Sequence, residues 1–123
     1  MKIFKKNFLE IPSFTAGDAT VLREVLHPLR ESGLDLPYSL AYAELPPGAS
    51  SLPHRLDRRS EVYILLEGEG TAFLEDQAFP LQAGDVLVIP PGTIQYLRND
   101  GATPIRFWCI VAPPWTDESE EVF

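Results

Sequence analysis

Cysteine occurs once in this 123-residue chain, so an internal disulfide is excluded and burial alone must hold the fold. The single thiol, Cys109, sits in the apolar run Phe107-Trp108-Cys109-Ile110-Val111, where a free cysteine behaves as a small buried hydrophobe. Positive charge is also scarce. Ten Lys and Arg stand against eighteen Asp and Glu, a formal net charge of -8. That balance speaks against a phosphate-neutralising surface for nucleic acid and against a polybasic patch for an anionic membrane. Long apolar runs are missing as well, and nothing reaches the length of a signal peptide or a membrane span. The expectation is a cytoplasmic protein with neither nucleic acid nor membrane as partner. The length fits one ordinary domain, residues 1–123, with room for a real core.

Breakers, by contrast, are abundant. Twelve prolines and eight glycines lie at turn-like positions throughout, which leaves segments too short for long helices and suited to many short strands. Strands are expected over 20–26, 39–45, 61–66, 71–74, 79–81, 86–89, 94–97 and 105–111. Residues 1–19 read as an N-terminal arm, and 113–123 as an acidic tail, loose or anchored through Trp115, Val122 and Phe123. The expected class is all-β and antiparallel, a sandwich or jelly-roll barrel. Residues 61–66 are apolar at nearly every position, so both faces of that strand need cover. A second copy of the chain over Val62, Ile64 and Leu66 would supply it as a homodimer.

Two stretches carry more than fold. Residues 48–68 run from Gly48 through His54, Leu56 and Glu61 to Gly68, and residues 84–99 run from Gly84 through Pro90, Gly92 and Gln95 to Asn99. Together they resemble the paired motifs of the cupin superfamily, G-x5-H-x-H-x3,4-E-x6-G and G-x5-P-x-G-x2-H-x3-N, with the short spacer of compact cupin 2 type conserved barrels. The resemblance implies a jelly-roll β-barrel, the double-stranded β-helix. It also implies a metal centre, since three histidines and the glutamate of these motifs hold iron, manganese, nickel or zinc in metal-dependent members. Two positions depart from the pattern: Leu56 stands at the second histidine and Gln95 at the third.

Strand alternation points His54 and Leu56, then Glu61, Tyr63 and Leu65, then Gln95 and Leu97 into the barrel. Leucine ligates nothing, and an amide oxygen is a weaker donor than imidazole towards late transition metals. The reduced set His54, Glu61 and Gln95 is therefore expected to hold a divalent ion (Zn, Mn, Fe or Ni) weakly, for a metal-assisted reaction on a small oxygenated molecule such as a sugar or organic acid. Two other readings stay open for His54. It can act without metal, paired with Glu61 as a base or ligand anchor, or it can be a satisfied interior histidine. A non-catalytic small-ligand-binding or sensor cupin fits the same residues.

Tyr63, Tyr96 and Tyr42 are expected near the ligand or at the cavity rim. Glu61 has a structural alternative as a partner of Arg55, Arg58 or Arg59. Asp57 points outward by parity, and His27, before a proline at a strand end, is expected to be solvated or backbone-bonded.

Overall fold

A computed structural model of the chain describes residues 2–123. The strands are β1 (Phe14–Thr15), β2 (Val21–Leu26), β3 (Ser39–Leu45), β4 (His54–Leu56), β5 (Ser60–Glu67), β6 (Glu69–Leu74), β7 (Gln77–Gln82), β8 (Val86–Ile89), β9 (Gln95–Arg98), β10 (Ile105–Ala112) and β11 (Glu120–Val122). Every pairing is antiparallel. A six-stranded sheet runs β1-β2-β3-β10-β5-β8, and a five-stranded sheet runs β11-β4-β9-β6-β7. The two face each other as a jelly roll, as the breaker spacing predicts. Among the described residues no helix is long and apolar enough to cross a membrane.

Alternation along each strand builds the core between the sheets. In β10, Ile105, Phe107, Cys109 and Val111 are buried while Arg106, Trp108 and Ile110 face outward. Leu45 from β3, Leu65 from β5 and Ile89 from β8 meet them with almost no exposed surface. Each such side chain contributes about 1.5–3 kcal/mol by leaving water.

The crossing from β5 in one sheet to β6 in the other is tighter than the sequence suggests, because β5 runs to Glu67 and β6 begins at Glu69, leaving Gly68 alone at φ 87°. Two residues on, the inner face of Gly70 lies directly under the β9 backbone.

Both termini are more ordered than an arm and a loose tail. A short 3-10 turn at Phe8–Glu10 packs Phe8 against Tyr42 and Trp108 on the outer face of the six-stranded sheet. At the other end β11 pairs with β4, Glu120 opposite Leu56 and Val122 opposite His54. Trp115 anchors this return: its N–H donates to Ser39 Oγ at 3.0 Å, and its carbonyl accepts from His27 Nε2 at 2.6 Å.

Candidate metal and ligand cavity

The inner faces of the two sheets enclose a cavity of about 210 Å³, closed at one end by the turn after β1 and by the segment between β10 and β11. His54 stands in its wall, 3% exposed, with Gln95 opposite it on β9. The imidazole Nδ1 lies 2.8 Å from the Leu52 carbonyl oxygen, which can only accept, so Nδ1 carries the proton. Nε2 lies 3.6 Å from Asp18 Oδ2. Glu120 completes the group, and ligand atoms of Asp18, His54 and Glu120 all lie within 4.8 Å of one another.

Local backbone bonding explains this convergence. Asp18 sits in a tight turn with Ala19 at φ 74°, its Oδ1 accepting from Thr20 N–H at 3.0 Å. Leu52 then joins both ligands: its N–H donates to the Asp18 carbonyl at 2.7 Å, while its own carbonyl holds His54. Glu120 is fixed by Trp115, whose indole N–H donates to Oε2 at 3.1 Å. Burial pushes the Glu120 carboxyl up, and the Asp18 charge adds to the effect. His54 Nε2 beside two carboxylates calls for a positive charge among the three groups. Either a proton or a metal cation between them would satisfy it. The three donors thus fit a divalent ion, and the donated Nδ1 proton is the orientation a metal-bound histidine takes.

Glu61, expected as a ligand, is buried at 6% exposure but stands outside this cluster. Its Oε2 accepts from the Cys109 thiol at 2.7 Å, and its Oε1 has no hydrogen-bond partner. Desolvation raises its pKa, partly offset by the Cys109 bond. Of the arginines expected to neutralise it, Arg55 pairs with Glu121, Arg59 donates to the carbonyls of Pro114 and Asp57, and Arg58 is exposed in the turn after β4. Gln95, 2% exposed, accepts from the Tyr63 hydroxyl at 2.9 Å. Burial lifts the Tyr63 hydroxyl and the Cys109 thiol well above their usual values, so both stay protonated.

Tyr63 lines the cavity as expected, but Tyr42 and Tyr96 do not. Each is one residue from an inward-facing neighbour, and alternation turns it to the outer surface. Tyr42 packs against Phe8 and Trp108, and Tyr96 stacks on Phe73 with ring centroids 4.5 Å apart. Asp57 is exposed, as parity requires. His27 is backbone-bonded and buried, holding Trp115 in place. Sequence reasoning missed Asp18 and Glu120 because both lie outside the two motifs. The turn residues Gly17-Asp18 and the anchor Trp115 were the only local signals.

This arrangement defines a jelly-roll barrel whose polar groups gather in one interior cavity. The cupin-domain family model (Cupin_2) matches residues 41–111, and the chain belongs to the cupin family. It is 34% identical over 122 residues to the uncharacterised protein MJ1618 of Methanocaldococcus jannaschii, covering 99% of this chain and 96% of that one. It is 32% identical over 71 residues to an oxalate-binding protein of Thermotoga maritima, covering 58% of this chain and 59% of the relative. A variant of Streptomyces PAC13 solved with uridine superposes with a TM-score of 0.77 at 20% identity, covering all of this chain (100%) and 92% of the other, which shows a shared fold.

Proposed function

We propose that the chain is a metal-assisted cupin acting on a small oxygenated molecule, a sugar or an organic acid, with the divalent ion held by Asp18, His54 and Glu120. The carrying observation is Nε2 of His54 beside two carboxylates, with all three donors inside 4.8 Å. When bound, the ion would polarise a ligand oxygen as a Lewis acid. The chain's own contributions are separate: Leu52 fixes the imidazole tautomer, Trp115 orients Glu120, and the apolar walls exclude water. Two carboxylates with one imidazole favour Mn²⁺ or Zn²⁺ over softer ions. The oxalate-binding relative and the uridine-bound PAC13 support a small oxygen-rich occupant. A cavity of about 210 Å³ also sits below the roughly 300–1,000 Å³ of drug-sized pockets, which suits a monosaccharide-sized ligand.

Chelator-stripped protein titrated with MnCl₂ and with ZnCl₂ in a calorimeter tests the centre. Saturable uptake of a single ion per chain is expected, with a rise in Tm. No uptake of either ion overturns the metal reading and leaves the non-catalytic ligand-binding cupin.

We also infer that the chain pairs through its outer six-stranded sheet. Register aligns two apolar rows there, Tyr42-Trp108-Ile64-Val86 and Leu40-Ile110-Val62-Val88. Phe8 covers one end, while Val86 and Val88 on the edge strand β8 remain 62% exposed and Leu66 43% exposed. A second copy would cover them. Sedimentation velocity is expected to show a dimer that Val88→Lys converts to monomer; a wild-type monomer at micromolar concentration would sink this reading.

A further inference from the structure

We propose that His27 is a positioning residue of the metal centre: it sets the place of Trp115 and, through the Trp115 indole, the orientation of the Glu120 carboxylate, so that metal affinity depends on a histidine that ligates nothing. The proposal rests on the reading that Asp18, His54 and Glu120 hold a divalent ion, and it deepens that reading by naming what holds the ligand furthest along the chain.

Three observations carry it. First, the imidazole is a strut. His27 is 2% exposed and both ring nitrogens are engaged. Nε2 lies 2.6 Å from the Trp115 carbonyl oxygen, which can only accept, and Nδ1 lies 3.3 Å from the Leu29 N–H, which can only donate. The ring therefore carries its proton on Nε2, and it cannot turn over without losing both bonds. The main chain beneath it is fixed as well, since the N–H groups of Arg30 and Glu31 donate to the His27 carbonyl at 3.0 and 3.1 Å.

Second, Trp115 lies between β10 and β11, outside any ladder, so side chains of the six-stranded sheet must place it. Its carbonyl is held by His27, the residue after β2, and its N–H by Ser39, which opens β3. The Arg30 guanidinium lies over its ring, 5.7 Å from the centroid. Main-chain bonds on both sides of the Trp115 Cα leave the indole only its two side-chain torsions.

Third, the indole reaches the centre. Its N–H donates to Glu120 Oε2 at 3.1 Å, and Glu120 is one of the three groups that converge. A glutamate side chain has several staggered conformers, and this bond selects one of them. Partners that hold a ligating carboxylate in this way tune metal affinity without touching the ion. His27 stands one step further out, on the backbone of that partner.

Calorimetric titration of the chelator-stripped full chain with MnCl₂ tests it on wild type, His27→Leu, His27→Gln, Trp115→Phe and the double variant of His27→Leu with Trp115→Phe. His27→Leu should lower Mn²⁺ affinity by about tenfold, the low end of what losing an outer partner of a ligand costs. His27→Gln, whose amide N–H can reach the same carbonyl, should restore most of it. Trp115→Phe keeps an aromatic ring and removes the indole N–H, and should also lose about tenfold. Because His27 acts through that N–H, the double variant should bind no more weakly than Trp115→Phe alone, whereas independent losses would multiply to about 100-fold. A histidine that only supports the fold would lower Tm and leave Mn²⁺ affinity where it was. One readout needs no variant to fold: the chain has two histidines and two tryptophans, and Zn²⁺ saturation of ¹⁵N-labelled wild type should shift both the His27 Nε2–H and the Trp115 indole N–H signals. Unchanged affinity in folded His27→Leu, multiplied losses in the double variant, no recovery in His27→Gln, or a His27 signal that stays in place under bound Zn²⁺ overturns the proposal and leaves the metal reading standing. A wild-type chain that takes up neither ion overturns both.

Discussion

His54→Ala is expected to lower divalent-metal affinity by at least about 100-fold, more than the 10–100-fold that losing an outer hydrogen-bond partner of a ligand costs. The imidazole is the one nitrogen donor among the three groups that converge, and Asp18 and Glu120 are left facing each other once it goes. Two carboxylates then share the space with no nitrogen between them, and burial already pushes the Glu120 carboxyl up. Protons therefore compete with metal for what remains. The Leu52 carbonyl loses its partner in the same variant, so the turn that presents Asp18 loosens with it. Calorimetric titration of stripped protein with MnCl₂ reads the effect. Asp57→Asn is the control, since that side chain is exposed and outside the cluster, and its affinity should match wild type. Equal metal binding by His54→Ala would rule out the proposed centre.

Gly70→Ala should be strongly destabilising, costing about 3 kcal/mol. A Cβ at this position would stand 2.3 Å from the Arg98 carbonyl oxygen and 2.7 Å from Ile105 Cδ1. The isoleucine can swing away, but the carbonyl belongs to the β9 backbone and cannot retreat without breaking the β6–β9 ladder. The backbone of Gly70 itself is not left-handed, so the cost is collision alone. Gly48, at φ 74° with open space around its Cβ direction, gives the contrast: alanine there is strained by conformation only and should cost about 1 kcal/mol. Urea unfolding of the two variants separates these causes, and similar midpoints would refute the argument.

The fold was legible because the chain is punctuated so heavily. Pro90 and Gly92 bound β8, Asn99 to Gly101 bound β9, and the alternation in β10 fixes which residues face inward. The same alternation correctly sends His54, Glu61, Tyr63 and Gln95 to the interior. Interior position, however, does not state which side chains touch. Glu61 and His54 come from different sheets, and the distance between them depends on packing that no local pattern encodes. The tyrosines show the opposite: residue type suggests Tyr42 and Tyr96 for the ligand, while parity sends both outward. Asp18 and Glu120 were invisible for a third reason. Each lies in a segment of weak periodicity, and each is brought to the cavity by contacts far away in sequence, with Leu52 and with β4 respectively.

The pairing of β11 with β4 has a kinetic corollary. Asp18 precedes most of the strands and Glu120 opens the last of them, so bringing them together closes a loop of nearly the whole chain, and the cluster is expected to form late in folding. Contacts of such long sequence separation are assembled late. An ion bound there would act on the unfolding rate far more than on the folding rate, fastening the two ends of the molecule after the barrel is built and slowing its opening.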